Sequence, residues 1–221
     1  MVSGIQEKKH IFNSLLISAV IILLMWAVKF SEMIFDISFG FLGVYPLSWK
    51  GLPGIVLAPF VHADLKHISA NSVPLFVLML TLFYFYRKIA FKVLILIWLF
   101  TGFWVWIGAR EAYHIGASGI VYGLAAFLFI SGLIRKNPRL MAISMIVAFL
   151  YGSLIWGVFP ELFPEENISW ESHLLGLVAG TLLALYFRKE GPQRKQYSWE
   201  LEEEDEEDED DPHAYWKRTV E

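Results

Sequence analysis

Gly116-Ala117-Ser118-Gly119-Ile120-Val121-Tyr122-Gly123 runs directly into the apolar stretch 124–134. A turn of small residues opens a helix that carries a serine in its first turn. Gly116 and Gly119 leave the serine's surroundings without side chains, so another backbone can come close. A helix start also offers free backbone N–H groups and a positive dipole end. Those are the parts that hold a developing oxyanion. The same residues fit a plainer role, with Gly119 and Gly123 as a small-residue packing face and Ser118 as a polar filler. The rest of the chain decides between the two.

Of the 221 residues, 56% are hydrophobic and 18% charged. That is too apolar for an ordinary soluble domain, and the length suits a single domain. With no cysteine, disulfides, thiol nucleophiles and cysteine-ligated metals are excluded. Apolar runs at 11–30, 67–86, 90–107, 118–134, 140–159 and 173–187 each approach the span of a bilayer-crossing helix. The expected fold is an all-α polytopic membrane protein, a bundle of six transmembrane helices. The loop 31–61 is rich in Gly, Pro and aromatics, and its apolar patches suit the membrane interface. Residues 200–211 are acidic apart from Leu201, a run that stays solvated. The expected organisation is a cytoplasmic N-terminus at 1–10, a membrane domain at 11–188 and an acidic, disordered cytoplasmic tail at 189–221.

Of eighteen Lys and Arg, all but Lys29, Lys50, Lys66 and Arg110 fall in the N-terminus, the second and fourth interhelical turns and the tail. Positive residues mark the cytoplasmic side, so both termini are expected there. Basic clusters then mark the inner end of each descending helix. From Asn71 to Arg87, Ser118 to Arg135 and His173 to Arg188 are about 16, 17 and 15 residues, or roughly 24, 26 and 23 Å. Three polar side chains therefore share one depth, several Å inside the outer edge of the membrane core. Polar groups at such a depth must face protein or water, and they point to a site.

The helices look built to bring Ser118 and His173 together. His173, Gly176 and Gly180 lie on one helical face, and Gly119 and Gly123 form a matching smooth strip. Tyr122 lies one turn below Ser118, where its ring can pack on the imidazole. Serine is a poor nucleophile until a base takes its proton, and histidine suits that task. No carboxylate occupies the shared level, so a Ser–His dyad is expected instead of a triad. Asn71 and His67, one turn apart, are candidate oxyanion donors, alongside backbone N–H groups at Gly116 and Ala117.

With these residues in place, the sequence resembles the rhomboid family of intramembrane serine proteases. The resemblance rests on Gly116-Ala117-Ser118-Gly119 with Tyr122, on His173-Leu174-Leu175-Gly176 with Gly180, and on the segment from His62 through His67 to Asn71. It implies a six-helix core over about 11–188, Ser118 as nucleophile, His173 as general base, and His67 and Asn71 as oxyanion donors. It also implies transmembrane protein substrates cut near the outer interface of the lipid bilayer, in a bacterial inner or plasma membrane. Neither a cofactor nor a metal is expected, and no nucleic-acid partner. Two departures stand out. Where many rhomboids carry Trp-Arg in the first loop, this chain has Trp49-Lys50 at an earlier position. Ser172 precedes the base, where alanine is common.

Two other readings compete. One is a non-catalytic rhomboid-like protein that binds transmembrane clients, although such proteins usually lack the serine or the histidine. The other is a haem or metal carrier using His62, His67, His114 and His173. No Glu follows His62 as in metalloprotease motifs, and an i, i+5 pair diverges on a helix.

Overall fold

The computed structural model describes residues 4–150 and 169–191. Its helices are α1 Gly4–Phe35, α2 Gly54–Leu57, α3 Leu65–Phe85, α4 Ala90–Gly108, α5 Ser118–Ile134, α6 Pro138–Leu150 and α7 Trp170–Tyr186. Among the described residues there is no strand, only an isolated bridge between Val44 and His114. The all-helical expectation therefore holds. Of the six expected spans, three helices, α1, α3 and α4, are long and apolar enough to cross a membrane. α5 and α7 have 17 residues each, about 26 Å at the helical rise, short of a ~30 Å core. α6 is described over 13 residues. Residues 151–159 of the expected fifth span, most of the loop after them, and the acidic run lie outside the described residues.

Helix ends follow local chemistry. α1 begins within the polar stretch expected as a separate N-terminus, and Glu7 suits the dipole of its first turn. It outruns the expected span at the other end too, stopping where Asp36 takes a left-handed φ of 50°. There the Ile37 N–H donates to the Glu32 carbonyl at 3.1 Å, a Schellman closure. α3 starts two residues before His67 because the Asp64 carboxylate accepts the His67 N–H at 2.7 Å. α7 starts at Trp170, and Glu171 in its first turn suits the dipole end.

α5 is buried along nearly its whole length. Leu124, Phe127 and Leu128 pack with Leu78 and Leu82 of α3 and Leu183 of α7. α1 docks on α3, where the Trp26 indole N–H donates to Ser72 Oγ at 3.0 Å. The long first loop hangs from α4. The Trp98 and Trp106 indoles donate to the Ile55 and Ser48 carbonyls, each at 3.0 Å. Trp49 itself is 84% exposed, so the indoles of α4, not Trp49, hold this loop.

The most extensive helix pairing is α5 with α7. A Cβ at Gly176 would fall on the Gly119 carbonyl oxygen, and one at Gly180 on the Gly123 carbonyl oxygen. The two backbones touch because neither position carries a side chain. Gly176→Ala and Gly180→Ala are each expected to cost about 1–3 kcal/mol by overpacking, seen as a lower thermal midpoint in detergent. Gly108→Ala, where a Cβ meets nothing within 4 Å, serves as the neutral control. An unchanged midpoint for Gly176→Ala would mean that the helices are not in backbone contact. At the C-terminal end of the same pair, buried Arg135 donates to the Phe187 carbonyl at 2.6 Å and to the Glu190 carbonyl. Its guanidinium lies 5.5 Å from the centre of the Tyr86 ring.

Candidate active site

Residues 109–117 bring the chain to the start of α5. His114 pairs with Val44 through both backbone groups, at 2.8 and 2.9 Å. The Gly116 N–H donates to the Ala58 carbonyl at 2.9 Å. Gly116 then takes φ +102°, a conformation that L side chains rarely adopt. That reversal aims Ser118 at α7. Ser118 Oγ lies 2.8 Å from His173 Nε2, within the range needed for proton transfer. The Tyr122 ring stacks on the imidazole at 4.2 Å and 13°. Gly176 and Gly180 sit below, where α5 and α7 touch. The expected pair and its three supporting residues thus occupy one place.

His67 and Asn71 reach the same site from α3. A Cβ at Gly116 would lie 2.7 Å from His67 Nε2 and 3.6 Å from Asn71 Nδ2, so both groups face the turn just before the serine. The Ala63 N–H donates to His67 Nδ1 at 3.5 Å. That leaves the proton of a neutral ring on Nε2, the nitrogen turned toward Gly116. Asn71 Nδ2 donates one hydrogen to the His67 carbonyl at 3.2 Å and retains a second.

The backbone donors need a correction. The amides of Gly116 and Ala117, expected to serve an oxyanion, point elsewhere. One is bonded to Ala58, and the other donates to His62 Nε2 at 3.4 Å. The amides of Ser118 and Gly119 are the ones without an acceptor among the described residues. Ala117 caps α5 without a side-chain hydrogen bond, so no side chain of the N-cap occupies those N–H groups.

Several residues around the site were not singled out by sequence reasoning for the parts they play. His62 appeared there only within a motif and as a candidate metal ligand. It is 1% exposed, accepts from Ala117, and meets the His67 ring edge-on at 4.9 Å. Burial, reinforced by His67 and the Lys29 ammonium, pulls its pKa down to about 3. It therefore stays a neutral acceptor at physiological pH.

A second group straps the loop before Ser118 to α7. Arg110 Nη1 lies 3.1 Å from both Glu171 carboxylate oxygens. His114 Nε2 lies 3.0 Å from the Arg110 carbonyl, and its Nδ1 lies 2.6 Å from Ser169 Oγ. Ser169 Oγ lies 2.6 Å from Ser172 Oγ. Burial holds the His114 pKa below its ordinary value. A carbonyl can only accept, so neutral His114 donates from Nε2. The hydroxyls then donate in series, Ser172 to Ser169 to His114. Ser172, just before His173, is one link of this chain. One available signal was this departure at Ser172; the ion pair joins residues too far apart in sequence to be read.

Taken together, these features define an all-helical integral membrane protein with a serine–histidine pair inside its bundle. The chain matches the Rhomboid domain family over residues 49–190, and it belongs to that family. Among its relatives, an uncharacterized protein of Mycobacterium tuberculosis is 35% identical over 161 residues, covering 69% of this chain and 65% of that protein. An uncharacterized protein of Mycobacterium leprae is 33% identical over 162 residues, covering 69% of this chain and 62% of its own length. The chain thus spans less than two thirds of these relatives. A protein of Acanthamoeba polyphaga mimivirus named as a rhomboid protein is 28% identical over 138 residues, with coverage of 60% and 73%.

Proposed function

We propose that the protein is an intramembrane serine endopeptidase that cuts single-span membrane proteins near the outer membrane interface. The observation that carries this reading is the 2.8 Å contact between Ser118 Oγ and His173 Nε2, in a chain of the rhomboid family. His173 takes the Ser118 proton as Oγ attacks the scissile carbonyl. His67 Nε2–H, Asn71 Nδ2–H and the Ser118 N–H stabilise the oxyanion of the tetrahedral intermediate. Its collapse breaks the peptide bond, with the proton passing from His173 to the leaving amine. Water then releases the acyl group from Ser118, and His173 again serves as base. The Tyr122 ring holds the imidazole in plane throughout. The accompanying topology is six spans with both termini cytoplasmic, and the mycobacterial relatives favour a bacterial plasma membrane.

A fluorophosphonate probe tests this reading directly. Purified protein in liposomes should be labelled at Ser118, located by mass spectrometry, and His173→Ala should suppress the labelling. A folded wild type that is never labelled, and that still captures transmembrane clients, would instead establish the non-catalytic role.

A further inference from the structure

Lys29 is a lysine near the outer end of the first apolar run, and it is buried. A buried ammonium must be paired and fully hydrogen-bonded, and this one has three acceptors. It donates to Glu32 Oε2 at 3.0 Å, to the His62 carbonyl at 3.0 Å and to the Ala63 carbonyl at 2.9 Å. Glu32 is itself anchored, since its other oxygen accepts the Phe39 N–H at 2.7 Å. α1 therefore grips two consecutive peptides of the segment that leads into α3.

Those two peptides belong to residues that face the site. The His62 imidazole accepts the Ala117 N–H, one residue before the serine. The Ala63 N–H is the donor to His67 Nδ1. If the Ala63 peptide turns over, Nδ1 loses its donor, and a neutral His67 is free to place its proton there. The nitrogen facing Gly116 would then be a bare acceptor, which repels an oxyanion.

We infer that Lys29 is a positioning residue for the oxyanion donor: its ammonium fixes the His62 and Ala63 peptides, and through them the Nε2–H form of His67. The inference rests on the protease reading for its meaning in catalysis, but the tautomer can be measured without it. Lys29 itself lies on α1, away from the serine, and acts only through the segment it holds.

The test uses Lys29→Met together with Glu32→Gln. The double variant leaves no unpaired buried charge, and the new amide oxygen can still accept from Phe39. A small misplacement of a catalytic group costs up to ~10²-fold. The rate of Ser118 phosphonylation by a fluorophosphonate, per folded molecule, is therefore expected to fall by about 10- to 100-fold. In ¹⁵N-histidine NMR of the full chain in nanodiscs, with His67 assigned through His67→Gln, wild type should show the Nε2–H form. The double variant should show a mixture of both tautomers. A purely structural Lys29 would lower the folded fraction but leave both the rate per folded molecule and the tautomer unchanged, and that result overturns the inference. If wild type is never phosphonylated, the protease reading fails, and the tautomer comparison alone decides the role of Lys29.

Discussion

Ser118→Ala is expected to cut cleavage of a single-span substrate in liposomes by on the order of 10⁶-fold, the scale seen when a serine hydrolase loses its nucleophile. The fold should survive. Ser118 is half-buried, alanine is smaller, and the hydrogen bond lost is the one to His173. His173→Ala should match that loss, because a serine without its base is nearly inert. It also empties the space beneath the Tyr122 ring, so its rate must be read per folded molecule. The double variant should be no slower than either single one, since the two residues act as a unit. Cleavage that survives in Ser118→Ala would falsify the mechanism.

Alanine at His67 or at Asn71 should each slow turnover by about 10²–10³-fold, the usual cost of one oxyanion donor. The competing expectation is that these residues glue helices together. The geometry separates the two. The Asn71 side chain donates to the His67 carbonyl, one turn back in its own helix, so losing that bond breaks no interhelical tie. His67 is only partly buried, and its ring lies close against the Gly116 turn, where there is no side chain to bond. Melting points near wild type with a large loss of rate would support the donor role. If turnover per folded molecule is unchanged, neither residue reaches the oxyanion.

Much of the site was legible because it is written in residue types with narrow uses. Glycines at Gly119, Gly123, Gly176 and Gly180 signalled backbone contact, and the depth ruler placed Asn71, Ser118 and His173 at one level. Helix ends were off by a few residues wherever a cap decided them, as at Asp64. α1 extends past the expected 11–30 span at both ends, and Lys29 and Glu32 satisfy each other inside the helix. The i, i+3 spacing of those opposite charges was the overlooked signal. The direction of the Gly116 and Ala117 amides depends on Ala58 and His62, and no local pattern reports where a distant acceptor lies. The tie from Arg110 to Glu171 is illegible for the same reason.

The α5–α7 pair is fastened at three heights by three unlike kinds of bond. At the N-terminal end are an ion pair and a chain of hydroxyls. In the middle, carbonyl oxygens rest against glycine backbone. At the C-terminal end a buried guanidinium grips two carbonyls. Salt screens only the first of these, because only there is a charge partly open to solvent. Acid acts at this same end, where a proton added to His114 reverses the direction of the hydroxyl chain. Neither touches the glycine contact, which carries no charge, nor Arg135, which is buried away from solvent. No single change of medium can undo all three fastenings, so the spacing of Ser118 and His173 has built-in redundancy.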